Sequence, residues 1–249
     1  MGWHCNNAAA NLNKPRQFVP LKRLDVKNMD FEQARFNMVE QQIRTWEVLD
    51  QSVLDLLVQV KREDFVPVAY RAIAFTDMEI PIGEGQLMMS PKMEARIVQE
   101  VSPKATDLVL EIGTGSGYLT ALLASRAAKV TSLEIFDSLS QLAAGNLARA
   151  DIRNVILKVG DAAESPAAFV GPDEKFDVIV LTGSVPMLPQ IYLDALTEHG
   201  CLFAIVGDAP VMKATLFRRA GDKIFAQAEI FETVVAPLIH AKQPSRFQF

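Results

Sequence analysis

The chain has 249 residues, is 49% hydrophobic and 22% charged, and carries a formal net charge of −5 at pH 7. That length and apolar content suffice for one sizeable core, while lysines and arginines scattered singly along an acidic chain argue against a surface that tracks nucleic-acid phosphates. Cys5 and Cys201 cannot build a disulfide framework, His4, His199 and His240 lack metal-ligand spacing, and no apolar run is long enough for a membrane span or a secretory leader. The expectation is a cytoplasmic protein with no metal, no nucleic-acid partner and no membrane contact.

Residues 1–30 mix Asn, Ala, Lys and Pro without a period, which predicts a weakly structured extension. Residues 31–249 are expected to form one domain, helical over 31–105 and built on a sheet over 106–249. Asp30 is the expected N-cap of a helix from Phe31 to Trp46, with Phe31, Ala34, Met38, Ile43 and Trp46 at roughly helical spacing. A second helix starts at Asp50 and carries Val53, Leu54, Leu57 and Val60. Pro67 ends regular structure, the Pro/Gly-rich run Ile80 to Gly85 predicts an irregular loop, and Pro91 opens a helix reaching Val101.

After Asp107 strand and helix patterns alternate: strand Leu108–Ile112, a helix to about Arg126, strand Lys129–Leu133, a helix to Arg149, and strand Val155–Val159. Phe176–Leu181 is a fourth apolar strand, followed by a loop at Thr182-Gly183-Ser184 and a helix after Pro189. Cys201–Val206 is a fifth, and Ala214–Arg219 with Ile224–Thr233 read as two more around the Ala220-Gly221-Asp222 turn. Near-continuous apolar strands alternating with helices predict an α/β fold: a doubly wound, mostly parallel, Rossmann-like sheet with helices on both faces and a helical N-terminal region.

Within that frame Glu111-Ile112-Gly113-Thr114-Gly115-Ser116-Gly117 directly follows the run Leu108-Val109-Leu110. Glycines at a strand end permit a tight turn and close approach of the main chain to a nucleotide. The spacing is GxGxG, not the GxGxxG of dinucleotide folds, and no GxxxxGK[ST] loop is present. An acid two residues before the first glycine suits S-adenosylmethionine (SAM), whose sulfonium and ammonium groups are cationic. Glu134 ends the second strand about twenty residues later, where an acid can accept both ribose hydroxyls. Asp161, after Gly160, ends the third strand and is placed to accept from an adenine amino group. Read blandly, the glycines are steric and Asp161 is a solvated turn residue.

From about Met38 to Val206 the sequence resembles the protein-L-isoaspartate O-methyltransferase family of class I SAM-dependent enzymes. The resemblance is carried by Met38-Val39 with Gln42-Ile43, Val60-Lys61-Arg62-Glu63-Asp64-Phe65-Val66-Pro67, Ile80-Pro81-Ile82-Gly83-Glu84-Gly85-Gln86, the Glu111 to Gly117 loop, Phe176-Asp177 with Thr182, and His199-Gly200. It implies methyl transfer from SAM to the carboxylate of isoaspartyl residues in damaged proteins or peptides, an ester that cyclises to succinimide, and hence protein repair by a monomer or homodimer. It implies cofactor contacts from Glu111, Gly113, Thr114, Gly115, Ser116 and Gly117, from Glu134 and Ile135 at the ribose, from Asp161 and Ala162 at the adenine edge, and from Thr182.

The family's Gly-x-Thr-Ile-Ser stretch, whose hydroxyls sit where cofactor and substrate meet, is replaced after Gly85-Gln86 by Leu87-Met88-Met89. Met89 occupies the matching hydroxyl position, Ser90 offers a hydroxyl one residue late, and Gln86, Leu87 and Met88 are the expected substrate-facing residues. Because Ser90 precedes Pro91, it is equally an N-cap. Two alternatives follow from this replacement: a methyltransferase of the same fold acting on another acceptor, and a SAM-binding protein without isoaspartyl activity.

Overall fold

The computed structural model describes residues 30–171 and 173–243; of the expected extension over 1–30, all but Asp30 lies outside them. α1 (Phe31–Met38) is capped by Asp30, whose Oδ1 accepts from the backbone N–H groups of Glu32 and Gln33 at 3.1 and 3.0 Å. The expected single helix to Trp46 instead widens into a π-type turn over Val39–Ile43 and tightens into a 3₁₀ turn over Arg44–Trp46. Met38, Val39 and Ile43 are all buried across this stretch. α2 (Gln51–Gln59) starts where Asp50 accepts from Ser52 N.

A correction comes at Ile80–Met88. In place of an irregular loop the chain forms a hairpin, β1 (Ile80–Gly83) against β2 (Gln86–Met88), with Ile80 opposite Met88 and Pro81 opposite Leu87. Pro81 is tolerated because the two-stranded sheet leaves an outer edge on which no N–H is required. α3 (Pro91–Val101) follows with Pro91 in its first turn, as expected.

The α/β core then runs β3 (Leu108–Ile112), α4 (Tyr118–Ala124), β4 (Lys129–Glu134), α5 (Asp137–Arg149), β5 (Val155–Val159), β6 (Phe176–Val185), α6 (Gln190–Asp194) and β7 (Leu196–Asp208). β8 (Val211–Gly221) and β9 (Ile224–Thr233) complete it. Seven strands form one sheet in the order β5-β4-β3-β6-β7-β8-β9, parallel through β7 and antiparallel for the last two. Thr182-Gly183-Ser184, expected as a loop, continues β6 past an irregularity and pairs with β7 at Ser184 and Val185.

Side-chain alternation covers both faces of this doubly wound, Rossmann-like sheet. Val178, Val180, Phe203 and Ile205 join one buried cluster with helices α2 to α4; Ile179, Leu181, Leu202 and Ala204 join the other with α6. The chain moves outward from β3 to β5 and then returns to β6 on the other side of β3. That reversal opens a crevice at the C-terminal ends of β3 and β6, where open α/β sheets bind ligands.

Candidate active site

The glycine loop is shaped by contacts a side chain would break. Gly113, Gly115 and Gly117 all have positive φ, and a Cβ on Gly113 would lie 2.1 Å from Thr182 Oγ1. Thr182 stays there because its hydroxyl donates to the carbonyls of Ile112 and Gly113, both at 2.8 Å. Gly113 N–H in turn donates to Leu133 O at 2.7 Å, which ties the end of β3 to β4.

Glu134 at the end of β4 is buried, and its carboxylate clasps the loop: Oε2 accepts from Gly115 N at 2.8 Å and Oε1 from Phe136 N at 3.1 Å. Below it Glu111 is fully buried, with Oε2 accepting from Thr120 at 2.5 Å and Ser132 at 2.6 Å, while Thr114 and Ser132 share a hydroxyl contact of 2.6 Å. Burial pushes the Glu111 carboxyl up to about 7, against the pull of the two hydroxyls that favour its ionised form. Glu111 Oε1 has no hydrogen-bond partner among the described residues.

Asp161 Oδ1 accepts from Ala163 N and Glu164 N at 3.1 and 2.9 Å, and its Oδ2 meets His240 Nδ1. That hydrogen bond raises the His240 pKa above its ordinary value. Tyr192 OH donates to Ala162 O at 2.7 Å and fixes the turn from behind. Among the described residues, Asp161, Glu164 and His240 are the one group whose ligand atoms lie close enough to meet a metal ion, within 4.8 Å of one another, and two of the three already bond each other.

A single cleft brings these parts together. Its walls include Gly113, Thr114, Gly115, Ser116, Glu134 and Ile135, with Asp161, Ala162 and Thr182. Gln86, Leu87, Met88 and Met89 supply a further stretch of wall. Three expected residues lie elsewhere: Glu111 sits beneath the loop, Gly117 starts α4, and Ser90 is not among the lining residues. Ser90 does hold the N-cap position of α3, but its hydroxyl makes no capping bond, and its carbonyl accepts from Met93 N and Glu94 N.

Two parts of the site escaped sequence reasoning. The strap Val235–Ile239 lines the cleft, held to β6 by Ser184 N to Ala236 O at 3.0 Å and Leu238 N to Ser184 O at 2.9 Å. Its signal in the sequence is only the short apolar run Val234 to Ile239, indistinguishable there from the end of a strand. Glu94 and Tyr118 also line the cleft, and behind them lies Arg62, fully buried and with its pKa lowered by burial to about 10.

The donor set suits a cationic ligand with a diol. Glu79, Glu134 and Asp161 bring carboxylates to the cleft lining, the Glu94 carboxylate is taken up by Arg62, and no lysine or arginine among the described residues lines the cleft. Gly85 opens on space where a Cβ would touch nothing within 4 Å. The residues present therefore fit SAM.

The profile of the family described as protein-L-isoaspartate(D-aspartate) O-methyltransferase (PCMT) matches residues 33–243. The chain is 40% identical over 173 residues to the protein-L-isoaspartate O-methyltransferase of Methanoculleus marisnigri, covering 70% of this chain and 77% of that one. It is 36% identical over 196 residues to protein-L-isoaspartate O-methyltransferase 1 of Pelobacter propionicus, covering 78% and 90%. The fold is similar to the crystal structure of a beta-aspartate methyltransferase (PCMT) from Plasmodium falciparum in complex with S-adenosyl-L-homocysteine, with a TM-score of 0.71 at 20% identity over 83% of this chain and 98% of that one.

Proposed function

The chain belongs to the protein-L-isoaspartate(D-aspartate) O-methyltransferase family, and from that premise we infer that it methylates isoaspartyl carboxylates in damaged proteins at the cleft between the Gly113–Gly117 loop and the Gln86–Met89 wall. The observation that carries this siting is the convergence of Glu134, Asp161, the glycine loop and that wall on one cleft.

SAM supplies an electrophilic methyl group on a sulfonium. The chain's residues bind and orient. Glu134 is held by two backbone N–H groups with its carboxylate facing the cleft, which supports a role as acceptor for ribose hydroxyls. Asp161, fixed by the turn Ala163-Glu164, supports the adenine role, and Thr182 keeps the first glycine within reach of the cofactor. An isoaspartyl carboxylate is ionised at neutral pH and needs no general base, so alignment and exclusion of water are the protein's contribution. The strap Val235–Ile239 and the wall Gln86–Met89 supply that enclosure. The cytoplasm is the proposed compartment, on the ground that two distant cysteines build no disulfide framework.

The test is incubation with labelled SAM and an isoaspartyl peptide beside its normal aspartyl twin; label on the first alone is expected. A second reading, another methyl acceptor, is favoured by one observation, the apolar Leu87-Met88-Met89 wall without a hydroxyl. Leu87→Thr with Met89→Ser separates the two. Restoring an oriented hydrogen bond to a charged group raises the isoaspartyl rate roughly ten- to a hundred-fold if that acceptor is right. No activity in either form overturns the isoaspartyl assignment.

A further inference from the structure

Resting on the reading of this cleft as the methyl-transfer site, we propose that Arg62 is a positioning residue: its guanidinium holds the main chain at Met89, and so keeps the acceptor wall aligned with the cofactor loop where the family's hydroxyl is missing. Arg62 follows α2 and none of its surface is exposed. Nη2 donates to Met89 O at 2.6 Å and Nε to Ala74 O at 2.9 Å, while Nη1 pairs with Glu94 of α3. The guanidinium also lies 5.1 Å from the ring centroid of Tyr118, the first residue of α4. One side chain thus joins four segments of the chain, two through backbone carbonyls and two through side chains, and three of its partners, Met89, Glu94 and Tyr118, line the cleft.

The chemistry explains why arginine stands there. A planar fork with donors in fixed directions reaches two carbonyls and a carboxylate at once; a lysine ammonium is a point charge and cannot span them. Burying this cation is costly, and an apolar pair of similar volume fills such a space at least as stably, so what the cation adds is orientation of its partners. The grip is on the Met89 carbonyl, not its side chain. The wall therefore keeps its place when the hydroxyl-bearing side chain is replaced by a thioether.

The test uses the full chain with R62M/E94M, which removes the ion pair while conserving volume, and R62K alongside. Three quantities are read: hydrogen exchange at the Gln86–Met89 amides, affinity for S-adenosyl-L-homocysteine, and kcat and KM on an isoaspartyl peptide. Exchange in that segment is expected to rise at least tenfold while exchange at Gly113–Gly117 and S-adenosyl-L-homocysteine affinity stay within about threefold. A misplaced acceptor wall lowers kcat by up to about a hundred-fold, with KM moving less. R62K should change in the same direction by a smaller factor. Unchanged exchange and kcat in a folded R62M/E94M overturns the proposal. If R62M/E94M fails to fold, R62K decides: a local rise in exchange at Gln86–Met89 supports positioning, and a uniform rise across the protein makes Arg62 merely structural and overturns it. If the natural protein is inert on isoaspartyl peptides, the functional reading fails, and the exchange comparison alone decides the role of Arg62.

Discussion

Gly113→Ala tests how rigidly the cofactor loop is built. The new Cβ would lie 2.1 Å from Thr182 Oγ1, and φ at this position is +98°, which an L side chain rarely adopts. The backbone strain costs about 1–2 kcal/mol, and displacing the threonine adds an overpacking cost of about 1–3 kcal/mol. Thr182→Ala alone removes the hydroxyl that donates to Ile112 O and Gly113 O and costs about 0.5–1.5 kcal/mol. In the double variant the clash is gone and only the strain and the lost hydroxyl bonds remain, so the two changes together cost less than their sum by about 1–3 kcal/mol. Urea unfolding of the four proteins measures this coupling, and calorimetry with S-adenosyl-L-homocysteine reports whether the loop still binds. Additivity within about 0.5 kcal/mol would refute the reasoning, since it would mean that Thr182 swings aside freely and does not brace the loop.

Glu134→Ala is expected to weaken SAM binding by about 1.5–3 kcal/mol, the range for hydrogen bonds to a charged group; unchanged calorimetric affinity in a folded variant removes the ribose assignment. Glu111→Gln should change the pH dependence of ligand-free stability. The folded carboxyl titrates near 7 against 4.5 for an ordinary one, so the native state binds more protons between those values. Natural-protein stability relative to the glutamine variant therefore falls as pH rises from about 4.5 to 7, by roughly 2–4 kcal/mol, and a flat difference in denaturation midpoints contradicts the burial argument. Ser90→Ala should cost less than about 0.5 kcal/mol because its hydroxyl makes no capping bond. A thermal-melt loss well above that would show that the hydroxyl is engaged.

What the sequence by itself determined is the part written in local periodicity and strand ends. The βαβαβ run, the positions of Gly113 to Gly117 and the acids Glu134 and Asp161 all follow from short apolar stretches and the residue that ends each one, because strand and helix patterns are set by neighbours along the chain. Tertiary structure decided the rest. Ile80 to Gly85 reads as a loop until Met88 finds Ile80 across the turn, and Pro81 becomes harmless only once it lies on an edge. Thr182-Gly183-Ser184 carries turn residues, yet β7 on one side and Ala236 on the other draw them into the sheet. The strap Val235–Ile239 reaches a cleft whose glycine loop lies more than a hundred residues earlier in the chain, and Arg62 finds Met89 and Glu94 only when α2 and α3 pack. These contacts depend on which elements meet in space, and no spacing within a single segment encodes that meeting.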